Sequence, residues 1–481
     1  MTAGTPLAQP VPPAVIALLQ AAAGPAGYID DPNDIAPYCK SWRDDWIGKV
    51  PLVLRPHTTE QVAEIVRVCA AASVAIIPQG GNTGLTGAGQ PHADMSEVIV
   101  STSRMDRIRA IDAINDTITV DAGVVLKQIQ IAAEQADRFF PLSLGAEGSC
   151  QIGGNISTNA GGIQVLRYGN TRALVMGLEV VLPDGRIWDG LRGLRKDNTG
   201  YDMKQMFIGA EGTLGIITAA VLRLFAKPTA TEAAWVAVDS PDASVALLGH
   251  MLARMGDAIS AFELIGRPII DFLLAGVPGH TDPMREAHPW YVLLNVASQG
   301  APGSLLGPLS DTLADASDRG LVRDALIAAS SAQTARLWKI REGLVEAQVA
   351  AGGTIAHDVS VPVSRIAEFI GRADAALRLA YPGIRPCTFG HVGDGNIHYN
   401  PVRPQHWDAA RYRQERGNIN RIVHDIIADL GGSISAEHGI GRSRLAELEH
   451  YKAPTELDMM RAVKQALDPK GIMNPGKVLR A

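Results

Sequence analysis

The segment Pro78-Gln79-Gly80-Gly81-Asn82-Thr83-Gly84-Leu85-Thr86-Gly87-Ala88-Gly89 directly follows Val74-Ala-Ile-Ile77, an apolar run that is typical of a buried strand. Backbone N–H groups in such a loop can form an anion-binding concavity, and glycine lets the main chain approach a phosphate closely. The segment lacks the Gly-Lys-Ser/Thr of a Walker A loop, and the polar stretch around Pro91 does not open a helix as a Rossmann fingerprint does. Taken alone, the loop is either a phosphate-binding loop or an ordinary turn.

Two further glycine-rich stretches favour a bound ligand. The first is Leu144-Gly-Ala-Glu-Gly-Ser-Cys-Gln-Ile-Gly-Gly-Asn-Ile-Ser-Thr-Asn-Ala-Gly-Gly162, which offers many backbone donors and forgoes core packing. The second, Gly209-Ala-Glu-Gly-Thr-Leu-Gly215, allows another close backbone approach at the start of a strand. A long surface loop is the alternative interpretation of the first stretch.

The C-terminal half carries two histidine-containing segments, His391-Val-Gly-Asp-Gly-Asn-Ile-His-Tyr-Asn400 and Ala436-Glu-His-Gly439. His391 and His398 have an odd spacing, which would point them to opposite faces of one continuous strand. Gly393-Asp394-Gly395 is expected to break that strand, so that both imidazoles reach one ion. With Glu437 they form a two-histidine, one-carboxylate set with open positions for a substrate. Spacing alone leaves a metal site and two structural histidines equally open.

Composition bounds the class of protein. The chain has 481 residues, of which 46% are hydrophobic, so two or three packed domains are expected. The net charge is −6 and the basic residues are scattered, which excludes a nucleic-acid footprint. No apolar run approaches the roughly 20 residues of a membrane span, and the apolar stretch 15–23 lacks the basic flank of a signal peptide. The four cysteines show no paired spacing, so we expect a reducing, cytoplasmic setting.

The secondary-structure pattern predicts an α+β protein. Strands and helices alternate through the glycine-rich part, and after about residue 228 a β-α-β rhythm predicts an antiparallel sheet with helices packed on one face. We therefore predict an N-terminal extension over 1–44, a first domain over 45–227, a second domain over 228–425 and a C-terminal helical segment over 426–481.

In its three glycine-rich segments the chain resembles the FAD-binding domain of the vanillyl-alcohol-oxidase (PCMH) type. Over roughly residues 45–480 it resembles the D-2-hydroxyacid dehydrogenases, which include D-lactate, glycolate and D-2-hydroxyglutarate dehydrogenases. The resemblance implies a two-subdomain FAD-binding domain, a cap domain with an antiparallel sheet, and a C-terminal segment that completes the active site. The residues that it implies around FAD are Pro78, Gly80, Gly81, Asn82, Thr83, Gly84, Leu85, Gly145, Ser149, Gly153, Gly154, Asn155, Thr158, Asn159, Gly162, Ile217 and Asn474.

Relatives that tether FAD covalently often place a histidine in the first glycine loop. That loop contains Asn82 and Thr83 here, so we expect non-covalent FAD. Cys150 is the alternative tether.

The resemblance also implies zinc or a similar divalent ion at His391, His398 and Glu437. We predict His438 as the general base for the substrate hydroxyl, because the pKa of imidazole lies near neutrality, while flavin N5 accepts the hydride. The alternative for His438 is a structural role beside Gly439.

Two further residues are implied at the substrate. Arg341 matches an arginine that grips a substrate carboxylate, a task for which the planar guanidinium is suited. Asn400 resembles a residue that hydrogen-bonds the substrate near the metal. The alternative for Arg341 is a solvated helix charge paired with Glu342 or Glu346.

The chain departs from 2-hydroxyglutarate-type members at two positions. Ala356 stands where those members often have a lysine, directly before the segment His357-Asp-Val-Ser-Val-Pro362. Val345 lies one helical turn after Arg341, where a hydroxyl-bearing residue would help to bind a second carboxylate. His357 compensates only if it turns inward. D-2-hydroxyglutarate and a smaller or more apolar acid such as D-lactate therefore stay open.

The predicted function is FAD-dependent, metal-assisted oxidation of a small D-2-hydroxy acid. Its electrons would pass to a separate acceptor, such as an electron-transferring flavoprotein, a quinone, a cytochrome or oxygen; a homodimer is left open. One alternative is a zinc hydrolase that uses His391, His398 and Glu437. Another is an FAD-binding electron-relay subunit without turnover, against which the intact pair Glu437-His438 counts.

Overall fold

The computed structural model describes residues 9–42 and 45–480. They form two compact units: one contains residues up to 161, 170–226 and 438 onward, and the other contains 162–169 and 227–437. The predicted boundary at residue 44 lies outside the described residues. No helix in the described part of the chain is both long and apolar enough to cross a membrane.

The strands alternate with helices along most of the chain. The strands are β1 (Tyr28–Ile29), β2 (Val53–Leu54), β3 (Ala75–Gln79), β4 (Glu97–Ser101), β5 (Ile108–Asp112), β6 (Thr117–Asp121), β7 (Arg138–Phe139), β8 (Val175–Val181), β9 (Ile187–Gly190), β10 (Ile216–Arg223), β11 (Phe225–Ala226), β12 (Ala230–Val238), β13 (Ile259–Gly266), β14 (Trp290–Ser298), β15 (Asp324–Ile327), β16 (His357–Ser360), β17 (Thr388–His391) and β18 (Asn396–Tyr399).

The α-helices are α1 (Pro13–Ala23), α2 (Pro32–Cys39), α3 (Thr59–Ala72), α4 (Leu126–Gln135), α5 (Ile152–Ser157), α6 (Val165–Tyr168), α7 (Thr171–Leu174), α8 (Lys204–Phe207), α9 (Pro241–Met255), α10 (Arg267–Gly276), α11 (Leu306–Asp318), α12 (Ser331–Ala350), α13 (Ile366–Ala380), α14 (Ala409–Gln414), α15 (Arg416–Asp429), α16 (Leu445–Tyr451) and α17 (Pro454–Leu467). Short 3₁₀ helices cover Gly256–Ala258, Val363–Arg365 and Val392–Asp394.

The first sheet of the first unit has the order β1-β2-β4-β3, with β2, β4 and β3 parallel. Helix α3 begins at Thr58, whose hydroxyl accepts the N–H of Gln61, and it buries an apolar face that includes Ile65 and Val66. Part of the predicted N-terminal extension belongs to this sheet and its core: β1 pairs with β2, and Leu19 of α1 lies in the same core.

The second sheet of this unit is antiparallel, in the order β5-β6-β10-β8-β9. Strands β8 and β9 form a hairpin at Pro183-Asp184-Gly185, where the N–H of Gly185 donates to Leu182 O at 2.9 Å. The first sheet, which is parallel except for β1, and the second, antiparallel sheet correspond to the two subdomains that the family resemblance implies.

The second unit contains a seven-stranded antiparallel sheet in the order β15-β12-β14-β13-β17-β18-β16. The prediction that helices pack on only one face is wrong. Trp235 on β12 packs with Leu273 of α10 and Leu344 of α12. Val236, which points to the opposite face, is also fully buried, and α9 lies against β12 and β13. The run Ala233-Ala-Trp-Val-Ala-Val238 is continuously apolar, the pattern of a strand that is covered on both faces.

The C-terminal residues are divided differently from the predicted break at 425/426. Helix α15 packs on α13 and β16 in the second unit, because Ile419, Val423 and Ile427 present one buried face. Residues from 438 onward, with α16 and α17, belong to the first unit.

Burial on both faces of the large sheet gives a stability test. Leu273→Ala in α10 and Leu247→Ala in α9 each remove a fully buried side chain, so each should cost about 2–5 kcal/mol and lower the Tm. Leu252→Ala in α9, where the side chain is 41% exposed, is the matched control and should leave the Tm nearly unchanged. An unaltered Tm for Leu247→Ala would contradict packing on that face.

Candidate functional site

The first two glycine-rich segments lie side by side in the first unit. A Cβ on Gly81 would come within 2.1 Å of Ser149 O, so no larger residue fits there. A Cβ on Gly80 would lie 3.6 Å from the backbone N of Gly154. Residues about seventy positions apart are thereby brought to one place, as the prediction of a shared ligand requires.

The third glycine-rich segment closes on the same region. A Cβ on Gly212 would lie 3.0 Å from Pro78 Cγ, and the N–H of Glu211 donates to Ser157 O at 2.8 Å. Ile217 follows on β10, where it is buried and pairs with Val180 of β8.

Asn474 ties these segments to the C-terminal residues. Its N–H donates to Ile76 O at 2.9 Å, and its Nδ2 donates to Ala88 O at 3.0 Å and to Glu211 O at 2.7 Å. Its Oδ1 is buried and has no hydrogen-bond partner among the described residues. An acceptor is therefore available beside the glycine loop.

The glycine-rich region fits a dinucleotide such as FAD. Buried Asn155 Oδ1 also has no hydrogen-bond partner within the described part of the chain. An added Cβ at Gly84, Gly145 or Gly154 would meet no atom within 4 Å, so these backbone positions are open to a ligand. Thr83 and Leu85 lie in the same loop as Gly84, and Gly153 packs against Ala122.

Some predicted FAD residues have side chains that serve the fold. Asn82 Nδ2 donates to Lys40 O at 3.0 Å, so its side chain is engaged within the fold. Thr158 Oγ1 donates to Gly154 O, and Asn159 Oδ1 accepts the N–H of Arg172. Gly162 belongs to the second unit, apart from the other candidates.

Cys150 is buried beside the second glycine-rich segment. Burial raises the pKa of its thiol, against the effect of a hydrogen bond with Asn155. A protonated, buried thiol is a poor nucleophile, which disfavours a covalent link to a cofactor.

The segment that follows His438 is clamped within the first unit. Glu211 accepts the N–H groups of Ile440 and Gly441, both at 2.7 Å, and a Cβ on Gly439 would come 2.7 Å from Glu211 Oε1. Burial raises the pKa of Glu211 to about 7, although these two backbone N–H groups oppose the rise. The backbone next to the predicted base is thus fixed by a carboxylate that sequence reasoning missed.

Thr86 of the first glycine loop holds the same segment. Its hydroxyl donates to His438 O at 3.3 Å, and its carbonyl accepts the N–H groups of Arg442 and Ser443 at 3.0 and 3.1 Å. His438 is therefore attached to the loop that is predicted to hold FAD.

The two predicted metal-binding histidines lie on one face of a hairpin in the second unit. The strand is broken at Gly393-Asp394-Gly395 as predicted: β17 and β18 are joined by a 3₁₀ turn that includes Asp394. His398 lies opposite Phe389, and Phe389 shares a face with His391. Their imidazole centroids are 5.4 Å apart, so the turn removes the difficulty of the odd spacing.

Glu437 completes this cluster. One ligand atom from each of His391, His398 and Glu437 can be chosen so that all lie within 4.8 Å of one another, and His391 Nε2 is 3.9 Å from Glu437 Oε1. Asp358 on β16 anchors Glu437, because its Oδ2 accepts the N–H of Glu437 at 3.0 Å. Asp358 Oδ1 also lies 3.8 Å from His398 Nδ1.

The electrostatics of the cluster suit a cation. Burial raises the pKa of Glu437 to about 7; His391 opposes the rise, and the carboxylates of Asp358 and Asp394 add to it. Burial likewise raises the pKa of Asp394 to about 6. A divalent ion would stabilise the ionised carboxylates that this burial disfavours, so the donor set fits a metal.

A second carboxylate missed in the sequence, Glu263 of β13, is fully buried beside the cluster. It accepts from His391 Nδ1 at 2.5 Å and from Arg341 Nε at 2.7 Å. Burial alone raises the pKa of Glu263, but the charges of His391 and Arg341 outweigh it and lower the pKa to about 2. The guanidinium of Arg341 lies 4.9 Å from the ring centroid of Phe389. Arg341 is thus a partly buried site residue rather than a solvated helix charge.

The other predicted substrate contacts are less direct. Asn400 Oδ1 accepts the N–H of His357 at 2.9 Å, and its Nδ2 donates to Gln348 at 2.9 Å, so one amide hydrogen is left for a substrate. His357 is buried, and its Nδ1 lies 2.8 Å from Tyr399 O. Ala356 is exposed, and Val345 is 44% exposed.

Two family models match the chain. The FAD binding domain matches residues 50–190, and the C-terminal domain of FAD linked oxidases matches residues 227–478. A crystal structure of p-cresol methylhydroxylase has the same fold, with a TM-score of 0.76 at 18% identity over 96% of each chain. The predicted fold class is therefore confirmed.

Curated relatives are similar along nearly the whole chain. D-2-hydroxyglutarate dehydrogenase, mitochondrial, of Bos taurus is 38% identical over 95% of this chain and 81% of its own length. D-2-hydroxyglutarate–pyruvate transhydrogenase of Saccharomyces cerevisiae is 34% identical over 93% of this chain and 90% of its own.

These relatives contradict the predicted cytoplasmic setting. Those from cattle, rice and Arabidopsis thaliana are named mitochondrial. The cysteine spacing on which the prediction rested reports a reducing environment, and it does not distinguish one reducing compartment from another.

The matched models and relatives agree with the geometry described above, in which three glycine-rich segments and Asn474 meet in one unit. The chain is an FAD-dependent oxidoreductase acting on a CH–OH group, and it belongs to the family of FAD-linked oxidases that includes the D-2-hydroxyglutarate dehydrogenases.

Proposed function

We propose that this enzyme oxidises the C2 hydroxyl of a D-2-hydroxy acid to the 2-oxo acid with His438 as general base, Arg341 as carboxylate anchor and a divalent ion such as zinc at His391, His398 and Glu437. The observation that carries the proposal is the convergence of the three donor groups within 4.8 Å in a buried, carboxylate-rich cluster. When bound, FAD supplies the hydride acceptor, and the ion supplies a Lewis acid for the substrate oxygens.

The side chains of this chain divide the remaining tasks. Arg341 donates through Nε to Glu263, which leaves its terminal nitrogens to bind a substrate carboxylate in a fork. The imidazole of His438 accepts the hydroxyl proton. Thr86 attaches the backbone of His438 to the first glycine loop. Asn400 contributes its remaining amide hydrogen to the substrate.

We further propose that FAD is held without a covalent link and that the units have distinct roles. Residues 45–227 with Asn474 bind FAD, residues 228–425 bind the ion and the substrate, and the segment from 426 onward completes the active site by carrying Glu437 and His438. Non-covalent binding is supported by the buried thiol of Cys150 and by Asn82 and Thr83, which stand in the loop where covalent relatives often place a histidine.

Two substrate classes are supported by different observations. The names of the relatives favour D-2-hydroxyglutarate. The aliphatic residues Ala356 and Val345 favour a smaller or more apolar acid such as D-lactate, because neither can pair with a second carboxylate. The electrons pass to a separate acceptor, an electron-transferring flavoprotein, a quinone or a cytochrome; the name of the yeast relative adds a 2-oxo acid to these candidates.

The proposal is tested by an anaerobic titration of the purified holoenzyme with D- and L-2-hydroxyglutarate, D- and L-lactate, malate and glycolate. Oxidation transfers a hydride to the flavin, so one D-acid should bleach the flavin band near ~450 nm and its L-enantiomer should not. Prior incubation with a chelator should slow the bleaching, because the ion orients the hydroxyl.

Each alternative gives a different result in that titration. A flavin that no 2-hydroxy acid reduces would leave the electron-relay role and contradict the proposal. A colourless protein that stays free of FAD and depends on metal for an esterase activity would indicate the hydrolase. Equal bleaching with and without chelator would remove the metal from the reaction.

The base is tested by His438→Ala. The variant should retain FAD, since the glycine segments are held together by close backbone packing and by Asn474, and the rate of flavin reduction should fall roughly 10²–10⁴-fold. Stopped-flow absorbance measures the rate, and the flavin-to-protein absorbance ratio reports FAD content. His450→Ala, at an exposed histidine of α16, is the matched control and should reduce at the wild-type rate. A near-normal rate for His438→Ala would rule it out as the base.

The substrate class is tested by Ala356→Lys. Added cationic charge should raise kcat/KM for D-2-hydroxyglutarate relative to D-lactate by roughly tenfold, the worth of one charge-assisted hydrogen bond. Ala356→Gln has similar length without the charge and should shift the ratio much less. A ratio that stays constant in both variants would show that position 356 does not select the substrate.

A further inference from the structure

We infer that Glu263 is a positioning residue that sets, with one carboxylate, both the metal-binding orientation of His391 and the substrate-binding orientation of Arg341. The inference rests on the proposed function. It adds a residue from β13 that lies 78 positions before Arg341 and 128 positions before His391 in the chain.

The contacts of Glu263 are divided between its two oxygens. Oε1 meets His391 Nδ1 at 2.5 Å, and Oε2 meets Arg341 Nε at 2.7 Å. Strands β13 and β17 place Glu263 directly opposite His391 in register, whereas Arg341 comes from α12. Three elements of the second unit therefore meet at one side chain.

The contact to His391 selects which ring nitrogen is left for a metal. Glu263 Oε1 engages Nδ1 of His391, which leaves Nε2 as the ring nitrogen available to a metal. Nε2 is the atom that lies 3.9 Å from Glu437 Oε1, within the predicted donor set. A hydrogen bond of this kind fixes the tautomer and the ring orientation of a metal-binding histidine.

The contact to Arg341 selects which guanidinium nitrogens are left for a substrate. Nε is engaged by Glu263, and the guanidinium lies over the ring of Phe389. The described residues provide no hydrogen-bond acceptor for its terminal nitrogens, which form the flat fork that binds a carboxylate.

Stability alone gives a weak reason for this arrangement. A buried ion pair frequently contributes no more than well-packed apolar side chains of similar volume would, because removing the charges from water is costly. Glu263 is fully buried in a sheet whose other inward positions are mostly apolar. A carboxylate there is best explained by the two groups that it orients.

Asp358 provides the contrast. It anchors Glu437 and lies near His398, so it supports the other two donors, and it has no contact with Arg341 in the described structure. Among the residues that the structure describes, Glu263 alone joins a predicted metal donor to a predicted substrate anchor, and its removal should affect two separate measurements.

The experiment compares four forms of the full-length holoenzyme: wild type, Glu263→Gln, His391→Ala and Arg341→Met. After chelation, each is titrated with Zn²⁺ under a competing indicator to obtain the metal Kd, and the KM of the preferred D-2-hydroxy acid is measured with metal in excess. Glu263→Gln should raise the metal Kd roughly 10–100-fold. It should also raise the KM by roughly tenfold, since the carboxamide cannot accept from both partners.

The comparison variants separate these effects. His391→Ala should weaken metal binding at least as much as Glu263→Gln. Arg341→Met should raise the KM and change the metal Kd much less than Glu263→Gln does, a separation that a general loss of folding would not produce. Glu342→Gln, at the exposed neighbour of Arg341, is the matched control and should change neither quantity.

The outcomes distinguish the inference from the function on which it rests. A wild-type enzyme that binds Zn²⁺ and oxidises the acid, together with an unchanged metal Kd and KM in Glu263→Gln, would overturn the inference alone. A wild-type enzyme without metal binding or flavin reduction would overturn the proposed function. If Glu263→Gln does not fold, Glu263→Asp keeps the charge and shortens its reach; it should raise both constants, and wild-type values in it would overturn the inference.

Discussion

The hydrogen bonds that attach residues 472–474 to β3 complete the FAD-binding unit. Strand β3 is at the edge of its sheet, and an uncovered edge leaves backbone groups without partners. The N–H of Ile76 donates to Ile472 O at 2.8 Å, and the N–H of Asn474 donates to Ile76 O at 2.9 Å. Because β3 leads into the first glycine loop, the C-terminal residues of the chain stabilise the strand from which that loop starts. The position of the glycine loop therefore depends on residues almost 400 positions later.

The second unit depends on the pairing of buried charges. Its site gathers Glu263, Asp358, Asp394 and Glu437 in a region with little access to water, where unpaired carboxylates would take up protons. Glu263 stays ionised because His391 and Arg341 donate to it, whereas the pKa values of Asp394 and Glu437 are raised. Two classes of buried carboxylate therefore lie side by side: Glu263, whose charge is balanced by His391 and Arg341, and Asp394 and Glu437, whose raised pKa values leave charge that a cation would balance.

Much of this arrangement was predictable from local sequence, and the part that was not has a common cause. Glycine loops, the hairpin at Pro183-Asp184-Gly185 and the helix cap at Thr58 depend on a few neighbouring residues, so their patterns are visible. Glu263 lies in an apolar strand with no motif around it. Its contacts with His391 and Arg341 are determined by the register of β13 with β17 and by the packing of α12, which the local sequence does not reveal. The continuously apolar run of β12 indicates burial on both faces, whereas a β-α-β rhythm does not assign each helix to a face of the sheet.

The junction between Glu437 and His438 shows how two neighbouring residues acquire different supports. The N–H of Glu437 is bound by Asp358 in the second unit, whereas Glu211 of the first unit binds the N–H groups of Ile440 and Gly441. The predicted metal donor and the predicted proton acceptor are thus consecutive in sequence, and the chain on either side of their peptide bond is held by a different unit. Peptide geometry limits the separation of the two Cα atoms to about 3.8 Å. The peptide bond between them therefore keeps the two residues close together. The carboxylates of Asp358 and Glu211 fix the orientation of the backbone on either side of that bond.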